Sequence, residues 1–237
     1  MQFIDLAAQQ ARIRPQIEQR IQDVLNHGKY IMGPEIGELE KQLADYVGVK
    51  HSLACASGTD ALLLALMAME IGPGDAVFTS PFTFIATAEV ISLLGATTVF
   101  VDIDPQTFNI DPDKIKKTIT AILKNDQDHP VCRQLQSNEV LIPKAVIPVD
   151  LFGLPADYDC INAIAEEYGL TVIEDAAQSF GGEYNGKKAG SLADVACTSF
   201  FPAKPLGCYG DGGMCFTDND VFIDTIRSLR IHGKGGD

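Results

Sequence analysis

Lys204 stands in a nearly uncharged stretch, "TSFFPAKPLGCYGDGG" (198–213), between Pro202 and Pro205. A lysine held in an apolar, water-poor site loses affinity for its proton, because desolvation disfavours the ammonium. The neutral amine can then attack an aldehyde and form a Schiff base. Asp175 closes the apolar run "LTVIED". A carboxylate at the carboxyl end of a parallel strand lies where α/β sheets bind ligands, and it can keep a pyridine nitrogen protonated so that the ring draws electrons. In "ACASGTDALLLAL", Ser57, Gly58 and Thr59 fall between a strand and a helix. Such a helix start offers free N–H groups, a positive dipole end and two hydroxyls, a phosphate cradle that needs no lysine or arginine. Phe84, in "SPFTFIATAE", has a ring to lay on a planar group. Ser199, five residues before Lys204, adds a hydroxyl, and "GDGG" (210–213) suits a backbone running tightly beside a ligand.

Each piece has a plainer reading on its own. Lys204 reads as a lysine snorkelling to the surface, Asp175 as a cap or loop acid, the Ser57–Thr59 stretch as an ordinary helix cap, and Phe84 as core. Their order along the chain adds information: cradle, aromatic, strand-end acid, lysine. That is the set needed to hold pyridoxal 5′-phosphate (PLP) by its phosphate, ring face, ring nitrogen and aldehyde.

The elements that must position this set follow from hydrophobic periodicity. Ile13, Ile17, Ile21 and Val24 mark one helical stripe, with Pro15 expected in its first turn. Ile36, Leu39, Leu43 and Val47 mark a second, opened by "GPE" and closed by Gly48. Short apolar runs then alternate with helical patterns: "SLACA", "AVFTS", "TTVFVDI", "KAVIPVD" and "LTVIED" are each followed by a new segment, ending with "DVACTSF", "GGMCFT" and the helix "DVFIDTIRSLR". Alternation with nearly continuous apolar strands predicts an α/β fold with a mainly parallel sheet and helices on both faces. "EYNGKK" reads as a hairpin on its Asn-Gly turn, and 124–139 as a surface loop. The ending "RIHGKGGD" carries no closing element, and the chain is expected to be a fragment.

Composition narrows the function classes. Hydrophobic residues make up 46% and charged residues 21% of 237, ordinary for a soluble globular domain. No apolar run reaches the ~18 residues of a membrane span, and the N-terminus lacks a signal-peptide layout, so a cytoplasmic protein without membrane partners is expected. A net charge of −14 disfavours nucleic acid as a partner. It also requires any anion to be held by a local device. Cys55, Cys132, Cys160, Cys197, Cys208 and Cys215 form no CxxC pair and read as reduced thiols, and the four histidines show no metal-ligand spacing, so no metal is expected.

"GKYIMGPEIGELE", "ASGTDAL", "PFTFIATAE", "VIEDAAQSFG" and "TSFFPAKPLGCYGDGG" together resemble the PLP-dependent nucleotide-sugar aminotransferases of the DegT/StrS type, a branch of the fold type I PLP enzymes. The resemblance runs along essentially the whole chain. It implies that Lys204 matches the Schiff-base lysine, Asp175 the partner of the pyridine nitrogen, and Gln178 the contact to the cofactor's phenolic oxygen. Phe84 takes the ring-stacking position, Ser57, Gly58, Thr59 and Ser199 fall in or beside the phosphate site, and Tyr30 lies in a loop facing the sugar substrate. It also implies a homodimer, glutamate as amino donor and a keto-sugar nucleotide as acceptor. "HGKYIMGPE" with "SFFPAKPLGCYGDGG" is similar to members acting on UDP-2-acetamido-3-keto-glucuronate. Residues 1–237 would be an N-terminal segment plus the PLP-binding large domain, without the family's C-terminal small domain. Two alternatives stand beside transamination. Some relatives dehydrate sugars, but these carry histidine where this chain has Lys204; a non-catalytic sensor or scaffold could also use the fold.

Overall fold

A computed structural model describes residues 5–134 and 140–234. The apolar runs become β1 (His51–Cys55), β2 (Asp75–Thr79), β3 (Thr97–Phe100), β4 (Ile142–Ile147), β5 (Thr171–Asp175), β8 (Val195–Ser199) and β9 (Gly213–Thr217), joined in one sheet in the order β1-β9-β8-β5-β4-β2-β3. Strands β3, β2, β4, β5 and β8 run parallel, while β9 runs antiparallel to both β8 and β1. The reversal at β9 has a simple cause. The loop 200–212 that joins β8 to β9 holds no helix, and a parallel return is usually made through one. The small hairpin of β6 (Glu183–Tyr184) and β7 (Lys187–Lys188) turns on Asn185 and Gly186, both at positive φ, the conformation such a two-residue turn requires.

Helices cover both faces. The helices α3 (Gly58–Ala68), α4 (Ala86–Leu93) and α8 (Asp220–Arg230) pack on one face through Leu62, Leu66, Ile91, Ile223 and Ile226 against Val77, Ile147, Ile173 and Val195. On the other face lie α5 (Pro112–Lys124) and α7 (Tyr158–Tyr168), with Ile115, Ile119 and Ile161 against Phe78, Val146 and Val172. That face continues under α2 (Pro34–Val47), where Leu43 and Val47 meet Ala196, Met214 and Phe216. Successive strand residues alternate faces. Val172 therefore points toward α5 and α7 and Ile173 toward α3 and α4, so that Glu174 and Asp175, next in line, are sent to opposite sides of the sheet.

Two local expectations change. The first helix, α1 (Leu6–His27), begins well before Pro15, capped by Asp5, whose Oδ1 accepts the Ala8 N–H at 2.9 Å. Pro15 thus lies inside the helix rather than in its first turn, because the acid cap upstream sets the start. None of α1's residues is buried. The stretch expected as a loop over 124–139 holds the short helix α6 (Pro130–Gln134), whose Cys132 packs into the core; 135–139 lie outside the described residues, as do 235–237 of the glycine-rich ending. Among the described residues no helix is long and apolar enough to cross a membrane.

Candidate active site

The carboxyl ends of β5 and β8, the start of α3 and the segment before α4 converge on a cavity of about 490 Å³. This is the edge of an α/β sheet where ligands bind, and the volume suits a small-molecule site.

One end of the cavity is the first turn of α3. Ser57 caps it, its Oγ accepting the Asp60 N–H at 3.0 Å. Helix geometry leaves the N–H groups of Gly58 and Thr59 without intrahelical partners. Two close approaches bring this turn against the sheet. A Cβ on Gly58 would lie 2.6 Å from the Ser199 Cβ, and one on Gly213 would run into the Ser57 carbonyl. Glycine at both positions lets α3 rest on the β8–β9 strand ends. The tight backbone expected of "GDGG" is therefore met, at Gly213, by α3 rather than by a ligand. Ser199 completes this wall. Its Oγ accepts the Phe201 N–H at 3.2 Å, which leaves the hydroxyl proton free to donate.

Asp175, at the last position of β5, forms the floor and is buried. Its Oδ2 accepts the hydroxyl of Thr87 at 2.8 Å and its Oδ1 the N–H of Ala177 at 3.2 Å. Burial pushes this carboxyl above its ordinary range, opposed by the Thr87 and Ala177 donors and the Lys204 charge. Lys204 is half-buried in the loop after β8, where its N–H donates to the Phe201 carbonyl at 2.8 Å; Phe200 N–H to Gly212 carbonyl (2.7 Å) pins the loop's base. Gln178 also lines the cavity. Its Oε1 is taken by the Phe152 N–H at 2.9 Å, so its amide NH₂ is the group left to donate. Phe84 lines the cavity with 65% of its surface exposed; it is not core.

The cavity thus gathers Ser57, Gly58, Thr59, Phe84, Asp175, Gln178, Ser199 and Lys204. Tyr30 is not among its lining. It follows α1, is 63% exposed, and lines a separate apolar groove with Ile17, Ile21, Val24 and Leu25, because the connection from α1 to α2 keeps it beside α1.

Sequence reasoning missed the threonines that meet Asp175 in the cavity and a pair of buried acids, Asp150 and Glu174, outside the cavity lining. Thr83 and Thr87 both line the cavity. Asp150 is fully buried; its Oδ1 accepts the Ala156 N–H (3.0 Å) and the Tyr158 hydroxyl (2.9 Å), and its Oδ2 the Ser179 hydroxyl (2.7 Å). Glu174, also fully buried, accepts the N–H groups of Gly190 (2.6 Å) and Leu192 (2.9 Å). Burial pushes Asp150 up to about 6 against its hydrogen-bond donors, and burial with the Asp150 charge raises Glu174 well above its ordinary value. A threonine inside an apolar helix and an acid after a strand carry no local mark of this role. The only hint was a run of two acids, "ED", ending an apolar strand.

The chain has clear relatives. It is 53% identical over 234 residues to the UDP-2-acetamido-2-deoxy-3-oxo-D-glucuronate aminotransferase of Pseudomonas aeruginosa, covering 99% of this chain and 60% of that protein. A DegT/DnrJ/EryC1/StrS aminotransferase structure from Brucella abortus superposes with a TM-score of 0.93 at 51% identity, covering 100% of this chain and 60% of the other. The DesV structure from S. venezuelae, solved with a ketimine intermediate, superposes at 0.87 with 35% identity, covering 100% and 58%. The chain therefore spans about 60% of the length of the relatives it matches. Residues 11–237 match the DegT/DnrJ/EryC1/StrS aminotransferase family model. With its sheet, its helix-start cradle and its lysine and aspartate facing one cavity, the chain belongs to that family.

Proposed function

We propose that this chain supplies the PLP-binding part of an aminotransferase that moves an amino group from glutamate to a keto-sugar nucleotide, a UDP-linked 3-keto sugar, for amino-sugar and surface polysaccharide synthesis in the cytoplasm. The observation that carries this reading is that Lys204 and Asp175 line one cavity together with the α3 N-terminus and Ser199.

The residues present fit the cofactor. N–H groups at a helix start and free hydroxyls suit a phosphate, which answers how a chain of net charge −14 would hold an anion. A buried carboxylate suits a protonated ring nitrogen, and an exposed Phe84 ring suits a planar face. When bound, PLP supplies an aldehyde for amines and a pyridinium ring that takes up an electron pair. The chain's own groups do the rest. Gly58, Thr59 and Ser199 hold the phosphate end. Asp175 keeps the ring nitrogen protonated through an ion pair in a water-poor site. The Gln178 amide donates toward the ring's oxygen. Lys204 Nζ takes the proton from the α-carbon of the amino donor. The similarity to the P. aeruginosa aminotransferase supports the UDP-linked 3-keto sugar as acceptor.

A spectrum of the chain with added PLP, before and after glutamate, tests the reading. Wild type is expected to gain an absorbance band that borohydride erases and glutamate shifts, and Lys204→Ala to lack it. A wild-type spectrum equal to that of free PLP, or one unchanged in Lys204→Ala, would sink the proposal.

A further inference from the structure

Thr87 is fully buried on α4, and its β-branched side chain is restricted in rotamer. A threonine in a helix commonly returns its hydroxyl to the carbonyl one turn back. This one reaches across to β5 instead, 2.8 Å from Asp175 Oδ2. The Thr83 hydroxyl lies 2.9 Å from the Thr87 hydroxyl. A hydroxyl has one proton to give. An ionised Asp175 can only accept, so the Thr87 proton is committed to it, and Thr87 must accept from Thr83. The direction of the chain is thereby set: Thr83 to Thr87 to Asp175. Both threonines line the cavity, and hydrogen bonds in series strengthen one another.

We infer that Thr87 is a positioning residue of this site: oriented by Thr83, its hydroxyl holds the Asp175 carboxylate in the rotamer and the ionised state that a protonated ring nitrogen requires. The inference rests on the proposed cofactor for its functional meaning, but its geometry does not. Burial favours a protonated Asp175, and a protonated carboxyl would compete with the ring for a proton instead of accepting one. The donors opposing this are Thr87 and Ala177, and the facing charge is Lys204, from the loop after β8. Asp150, with Tyr158 and Glu174 grouped around it, lies outside the cavity lining but within reach of the Asp175 charge, and Cys197 on β8 lines the cavity. None of these groups changes between Thr87→Val and Thr87→Ser, so comparing the two variants isolates the hydroxyl.

Two measurements test it. The first is PLP affinity at neutral pH. Thr87→Val, similar in shape but without the donor, is expected to bind about tenfold more weakly or worse, the loss of a hydrogen bond to a charged group, and Thr87→Ser to restore most of the binding. The second is thermal unfolding of the cofactor-free chain across pH. Asp175's folded pKa is raised, so its ionisation costs stability as pH rises above its unfolded value of about 3.8. Without the Thr87 donor that cost grows. The melting-temperature gap between wild type and Thr87→Val should therefore widen as pH rises above about 4, and that for Thr87→Ser should stay flat. Should Thr87→Val fail to fold, Thr83→Ala, which removes the orienting partner, should show the same widening on a smaller scale. A gap independent of pH, or Thr87→Ser behaving like Thr87→Val, overturns the inference. Wild type failing to bind PLP would overturn the proposed function, while the cofactor-free series still decides the role of Thr87.

Discussion

At the scale of single residues, the site depends on a few buried charges held by neutral donors. Asp175 accepts from Thr87 and Ala177 and shares the cavity lining with Lys204. An amide in its place keeps the shape but not the charge that would hold a ring nitrogen protonated. Asp175→Asn is expected to lower the transamination rate on the order of a thousandfold, and Lys204→Arg to abolish it; steady-state rates with glutamate as donor check both. Asp150 offers a prediction that needs no substrate. Its carboxyl rises from 3.8 to about 6 on folding, through burial. A carboxyl raised in the folded state contributes most below its unfolded pKa, and that contribution fades as pH climbs through the folded value. The stability advantage of wild type over Asp150→Asn should therefore shrink between about pH 4 and about pH 7, as read from melting temperatures. Ser179, now donating to Asp150, can accept from the asparagine amide, which keeps the variant folded.

At the scale of elements, the α3 start is the working part. Its exposed N–H groups face the cavity only because Gly58 and Gly213 allow contact with Ser199 and Ser57. Gly58→Ala places a methyl against the Ser199 Cβ and backbone, and overpacking of this kind costs about 1–3 kcal/mol. Thermal unfolding should register the loss, and PLP affinity should fall with it as α3 is pushed off β8. The α1 helix behaves oppositely. Pro15 lies in its interior and no residue of α1 is fully buried, so the helix bears a cost of about 3 kcal/mol relative to alanine with little packing to offset it. Pro15→Ala should slow amide exchange along α1 while leaving the melting of the sheet core nearly unchanged.

At the scale of the molecule, the surface suggests a second copy. Phe82, Phe108 and Phe152 are exposed and pack on one another with ring centroids 5.9, 6.0 and 6.4 Å apart. Phe152 and Ile31 are 73% and 88% exposed. Apolar clusters of this kind mark interaction surfaces, and a homodimer is the expected assembly. Light scattering at micromolar concentration should return a mass of twice the chain or more; a monomer would count against it. The strong negative charge makes electrostatic attraction between copies a poor driving force, so the association should persist in high salt.

Much of this was legible in the chain itself. The helix-start cradle, the acid ending an apolar strand and the Asn-Gly hairpin are rules of nearest neighbours, set by dihedral limits, capping and the two periodicities of side-chain direction. Residues such as Ser57, Asp175 and Lys204 could be singled out because each sits at a boundary those rules mark. Which threonine reaches Asp175, and why Glu174 and Asp150 are buried acids, were settled by long-range pairing. Thr87 meets a partner 88 positions away, and β5 lies beside β8 while β1 lies beside β9. Strand order depends on how all the apolar faces are covered at once, a global balance of burial that no window of neighbouring residues contains.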